Sequence, residues 1–269
     1  MLGKLLKYEF KNAAKIMVLF YAALILMSAI FSVSVYFGAG LNEEESSDFS
    51  VSYEFTEGVF GITAGLSFVF LYFMIIAVSV ATVIYSISRF KNTVLGPEGY
   101  LTHTLPVKTR DIILSKTINA VIWQIFSGIA VFAALLLIFA VLGINLGEFL
   151  WDLLRYALEA PKAIIIFVEF LVFIPVATVG SFLQIFACMS IGFSSNRHRV
   201  LKSVGVYILF YWAMSFVTTF LLTFDQLLAE FTPERGIGLL FIVILLYAIL
   251  AIGFYFITHH FLSKKLNLQ

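Results

Sequence analysis

Apolar residues gather in six long runs, approximately 16–38, 59–87, 118–142, 164–192, 201–223 and 238–261, and the intervening connections hold nearly all the charge. Each run supplies at least the ~20 residues with which an α-helix crosses a hydrocarbon core ~30 Å thick. Backbone polar groups inside a bilayer must be satisfied within the segment, so the runs predict helices. The chain therefore reads as one all-α, polytopic membrane domain over residues 1–269. Runs two and four, each about 29 residues, would extend about 43 Å as helices, which predicts tilt or projection beyond the core.

The charges orient this pattern. Fourteen of the 17 Lys and Arg lie on alternate segments. Lys4, Lys7, Lys11 and Lys15 precede the first run, and Arg89, Lys91, Lys108, Arg110 and Lys116 lie in or beside the second connection. Arg197, Arg199 and Lys202 fill the fourth connection, and Lys264 and Lys265 the tail. Short positively charged loops stay inside, which predicts cytoplasmic termini and cytoplasmic second and fourth connections. Twelve of the 16 acids lie in the other connections. An odd number of crossings would place one lysine-bearing terminus outside, so six is favoured.

Composition agrees, with 61% hydrophobic and 12% charged residues and a mean hydropathy of +1.02. A soluble domain carries about 25% charged residues. The net charge of +1 conceals the segregation and gives no reason to expect a nucleic-acid partner. Cys188, the single cysteine, lies in an apolar run, which excludes an intrachain disulfide and predicts a buried, inert thiol. The first run is too long for a signal-peptide core and its lead-in is amphipathic, so a cleavable signal is not expected.

Residues 2–15 place Lys4, Lys7, Lys11 and Lys15 within an arc of about 80° on a helical wheel, opposite Leu2, Leu5, Leu6, Phe10 and Ala13. Two readings fit: an interfacial helix lying on an anionic membrane surface, or lysines that only enforce topology. The first connection, 39–58, reads as a solvated acidic loop, Leu146–Ala160 as a helix in the outer interface, and Ser194–Lys202 as a tight turn. No internal repeat supports an inverted-repeat transporter. Within the runs, Pro175, Gly180 and Ser181 can loosen the fourth. Gly61 and Gly65 form a GxxxG contact signal, and Thr218, Thr219 and Thr223 form a patch suited to joining helices. Glu169 is the one acid inside a run and Gln184 follows it on the same helix. They read either as points on a substrate path or as an acid that reaches the headgroups or pairs with Lys162, and an ordinary packing amide.

Catalytic chemistry is missing. There is no Gly-x-x-x-x-Gly-Lys phosphate loop, so nucleotide chemistry would have to come from another polypeptide. His103, His198, His259 and His260 are dispersed, make no His-Glu-x-x-His pattern and predict no metal site. Glu43 to Glu45 stand in an outer loop without a basic or histidine companion. The chain is not expected to be an enzyme by itself.

Function is best sought in the second connection, 88–117. Its centre, GPEGYLTHTLPVKTRD from Gly96 to Asp111, joins turn residues to an apolar surface of Tyr100, Leu101, Leu105 and Val107. A greasy surface on a water-facing loop usually has a partner, though a re-entry turn packed on its own bundle would share these features. The segments Arg89-Phe90-Lys91-Asn92, Leu95 to Leu101, Thr104-Leu105-Pro106-Val107 and Ile113 to Lys116, with the KLLKYEFK lead-in at Lys4 to Lys11, resemble the membrane subunits of ATP-binding-cassette exporters. The similarity is to ABC-2 type permeases of Gram-positive bacteria related to antibiotic and lantibiotic resistance transporters.

That resemblance implies a type V ABC exporter-like fold, six spans preceded by an amphipathic helix, in the bacterial plasma membrane. It implies a dimer with a second permease copy or paralogue, driven by separate ABC ATPase subunits that hold the ATP and Mg, with no cofactor on this chain. The family's coupling helix would fall on Glu98, Gly99, Tyr100, Leu101, Leu105, Pro106 and Val107, with Asp111 at the following helix start. The exported substrate would be an amphiphilic or hydrophobic peptide, lipid or drug. The alternative is a membrane scaffold, sensor or immunity component that shares the fold without transporting.

Overall fold

The computed structural model describes residues 2–40, 50–96, 99, 108–141, 147–148, 151–152, 154–155, 161–195, 198–229 and 238–264. Six α-helices dominate them: α1 (Leu2–Gly40), α2 (Ser50–Phe90), α3 (Thr109–Val141), α4 (Pro161–Phe193), α5 (Arg199–Ala229) and α6 (Gly238–Lys264). No strand occurs among the described residues. All six are long and apolar enough to cross a membrane, as in a multi-pass membrane protein. Their outer surfaces agree: Leu209 and Trp212 are 72% exposed and Phe216 74%, a cost in water but not in lipid.

The helices are longer than the apolar runs. α1 is unbroken from Leu2, so the lead-in expected as a separate interfacial helix is instead the first part of α1. No proline interrupts residues 2–20 and most are good helix formers, so nothing local stops the helix before the apolar run. α2 begins at Ser50 and carries Glu54 and Glu57, so half of the expected acidic loop is helical. α3 starts at Thr109, which brings the end of the 88–117 connection into a helix. Pro161 opens α4, where its missing N–H costs nothing. Pro175 lies inside α4 without ending it.

Two compact units are distinguishable. One comprises Lys11–Val83 and Trp123–Arg155. Its core is Leu24 of α1, Val78 of α2 and Ala130 and Ala134 of α3, with Phe20, Tyr21, Met74, Ile75 and Val131 against them. The paired alanines let the helices approach closely, the small-residue packing that substitutes for hydrophobic force in lipid. A chain of hydroxyls joins the three helices. Ser127 Oγ lies 2.9 Å from Tyr21 Oη and 2.8 Å from Thr82 Oγ1, and Tyr21 Oη also donates to the Trp123 carbonyl at 3.1 Å.

The other unit comprises Met1–Phe10, Ile84–Ile122 and Tyr156–Gln269. Here α4 packs chiefly along α6 and next along α5. Gly180 passes within 3.7 Å of the Tyr247 carbonyl, measured from where a Cβ would sit. Gly192 is tighter still. A Cβ there would fall 2.0 Å from Ser203 Oγ and 2.5 Å from the Ser203 nitrogen, so only glycine allows α4 and α5 to meet at this turn. His198 enters α5 with φ of 53°, and its carbonyl accepts the Lys202 N–H at 3.0 Å.

Three smaller expectations are settled by the same packing. Among the described residues no atom lies within 4 Å of a Cβ built on Gly61 or Gly65, so that GxxxG makes no close contact with another described helix of this chain. Thr223 bonds back to the Thr219 carbonyl and is exposed, which satisfies that hydroxyl within α5, while Thr218 Oγ1 is buried and finds no hydrogen-bond partner among the described residues. Cys188 is buried, as expected.

Candidate functional site

The second connection is ordered at both of its ends by residues that the sequence scatters. α2 finishes at Phe90 and passes directly into a π turn, Lys91–Leu95, in which Thr93, Val94 and Leu95 are buried. Thr93 Oγ1 donates to the Arg89 carbonyl at 2.6 Å, bonding back within the widened turn. Gly96 follows with extended φ and ψ of −97° and −165°. A Cβ at Gly96 would meet the Asn92 and Lys91 carbonyl oxygens at 3.0 and 3.1 Å, so the chain leaves the π turn close to its own backbone. Gly99 is buried and donates its N–H to the Gly96 carbonyl at 2.9 Å. On the return, the Asp111 N–H bonds to the Lys108 carbonyl at 2.8 Å as α3 begins.

One carboxylate from α1 clamps these two ends. Arg89 donates through Nη2 to Glu9 Oε1 at 3.1 Å and through Nε to Oε2 at 3.3 Å, the forked geometry guanidinium favours. Lys116 Nζ donates to Oε1 at 2.6 Å. The side chains of Lys116, Glu9 and Arg89 are 7%, 12% and 27% exposed, which makes this a largely desolvated triad. A buried carboxylate facing two cations is strongly held, because removing it would leave like charges together away from water. Beside the clamp, the Phe90 ring stacks on Phe186 of α4, centroids 4.2 Å apart and planes 11° from parallel. Both rings are fully buried.

Among the described residues no group of three or more His, Cys, Asp or Glu is placed to hold a metal ion. What the geometry supplies is a stiff base: both ends of the connection are tied to α1, and Phe90 is keyed into α4.

Of the residues expected to contact an ATPase, Gly99 and Asp111 lie within this base, while Glu98, Tyr100, Leu101, Leu105, Pro106 and Val107 fall outside the described residues. Lys7, Lys11 and Lys15 are exposed along α1, and the side chain of Lys4 is outside the description. Among the described residues, Glu169 Oε2 and Gln184 Nε2 are each buried without a hydrogen-bond partner. Separated by fifteen positions on one helix, they stand about 22 Å apart along its axis and do not form a single site. The expected Glu169–Lys162 pairing involves a side chain outside the description.

Glu9, Arg89 and Lys116 were legible as charges and as members of the resembling segments, but not as partners of one another. The signal that would have marked Glu9 is its isolation, as the sole acid in a lead-in of four lysines. Comparison with protein-family models, with characterised proteins and with solved structures found no match to this chain.

Proposed function

We propose that the chain is the membrane-embedded permease subunit of an ATP-driven exporter of the ABC-2 type. It would work with separate ATPase subunits and a second permease copy or paralogue in a bacterial plasma membrane, with both termini cytoplasmic. The observation that carries this reading is the clamped base of the 88–117 connection, where Glu9 holds Arg89 and Lys116. A loop meant only to join two spans has no need of a desolvated ion triad, whereas a loop that is pushed must pass its displacement to the helices at its ends. The segregation of basic residues and the sequence of the connection support the same reading.

On this account ATP closes the ATPase pair, the apolar segment from Glu98 to Val107 is displaced, and the stiff base transfers that movement to α2 and α3. The permease breaks no covalent bond. It exports an amphiphilic or hydrophobic substrate by binding it differently in two conformations.

The test is copurification with the product of an adjacent gene that carries a phosphate loop, followed by export and ATPase assays in lipid. Tyr100→Ser, Leu101→Ser and Leu105→Ser combined should leave insertion and thermal stability unchanged, abolish export, and remove the permease's influence on ATP hydrolysis. Unchanged complex assembly and export in the triple variant would overturn the proposal.

A further inference from the structure

An apolar groove of about 590 Å³ runs between α3, α4 and α6 within the unit that holds the clamp. Leu114 and Val121 line it from α3, Val179 and Leu183 from α4, and Ile252 and Phe256 from α6. Its wall stays open to the surroundings, since Ile252 is 57% exposed and Phe256 64%. Thr117 is among the few polar groups on the lining, and its hydroxyl is engaged by the Ile113 carbonyl at 3.0 Å. A polar ligand would therefore lose its water without recovering hydrogen bonds, while a hydrocarbon chain loses nothing.

The character changes one helical turn beyond the groove. On α3, Arg110 lies four residues before Leu114 on the same face and its side chain is 59% exposed, with a 3.8 Å contact to Asp111. On α6, His259 lies four residues after Tyr255, its ring centroid 6.3 Å from that of the lining tyrosine, and the exposed His260 follows. Lys116, the other cation of this part of α3, is engaged by Glu9. Successive crossings alternate in direction, so the start of α3 and the end of α6 meet the same face of the bilayer. Toward that face the slot is thus followed on α3 by a guanidinium that pairs with Asp111 and on α6 by an imidazole.

We infer that this groove is a binding site for an anionic phospholipid of the surrounding membrane, one acyl chain lying between α3, α4 and α6 and the phosphate held by Arg110 and His259. The space suits one chain rather than two, which leaves the second chain in the bilayer and makes the site an anchoring groove rather than an enclosed pocket. Basic positions where helices meet a membrane surface select anionic headgroups in this way. The inference rests on the membrane placement of the helices and not on the exporter reading.

The test uses the full chain, purified in detergent and equilibrated with equal phosphatidylglycerol and phosphatidylcholine, with retained lipid counted by native mass spectrometry. The wild type should retain phosphatidylglycerol roughly fivefold over phosphatidylcholine, the preference one basic contact near the surface confers. Arg110→Gln with His259→Gln should bring the two lipids to parity while leaving the lipid-free melting temperature unchanged. Ile252→Trp, which fills the groove from its exposed wall, should lower retention of both. Equal retention by the wild type, or an anionic preference that survives the double variant, would overturn the inference. So would cross-linking through Ile252→Cys that shows a second copy of the chain seated in the groove.

Discussion

Glu9→Gln removes one charge and almost no volume, so its effect isolates the electrostatics of the clamp. The carboxylate accepts three hydrogen bonds, two from Arg89 and one from Lys116. An amide oxygen in the place of Oε1 can still accept from Arg89 Nη2 and Lys116, but the NH₂ in the place of Oε2 then points at Arg89 Nε, and two positive charges face each other with no carboxylate between them. Deleting one partner of a buried pair costs about 3–5 kcal/mol. Arg89 is 27% exposed and keeps part of its hydration, whereas Lys116 at 7% does not, which places the expected loss near the lower bound. About 3 kcal/mol corresponds to a fall in melting temperature of roughly 6–12 °C for a chain of this size. Intrinsic fluorescence from the 3 tryptophans in detergent micelles would follow it. Lys116→Met removes the charge most in need of the carboxylate, and a double-mutant cycle then reads the coupling directly. The double variant should recover at least about 1 kcal/mol relative to the sum of the single variants, within the range found for residues that share a buried network. A melting temperature for Glu9→Gln within 2 °C of wild type, or strict additivity in the cycle, would show that the triad carries no structural weight.

Two further substitutions probe the packing on either side. Gly192→Ala would set a methyl group against both Ser203 Oγ and the Ser203 nitrogen, at 2.0 and 2.5 Å, so it should destabilise by about 1–3 kcal/mol through forced separation of α4 from α5. Adding Ser203→Ala removes only the first clash and should restore part of the loss, which thermal unfolding of the single and double variants would measure. Ser127→Ala deletes the hydroxyl that touches both Tyr21 and Thr82 and should cost about 0.6–1.7 kcal/mol, the range for interhelical hydrogen bonds in membranes. Thr82→Ala on the Ser127→Ala background should then cost less than it does alone.

Much of the fold follows from the sequence because membrane insertion is decided locally. A run of about 20 apolar residues is a helix in hydrocarbon whatever its neighbours, since no other conformation satisfies its backbone there. The six helices and the burial of Cys188 were therefore readable from residues taken in order. Helix ends were less readable. A polar stretch such as Ser50 to Gly58 is neutral between helix and loop, and the helix simply continues through it.

Tertiary structure alone decided which faces meet. Glu9 is separated from Arg89 by 80 positions and from Lys116 by 107, and Tyr21 from Ser127 by 106. In lipid an apolar face gains little by turning inward, so hydrophobic pattern does not say which side of a helix packs. The choice falls to small residues, hydroxyls and the few charges that cannot remain unpaired, and their partners lie far away along the chain. Gly61 and Gly65 carry the contact motif but meet no helix among the described residues, while Gly192, in no motif, sits at a helix junction that leaves no room for a Cβ.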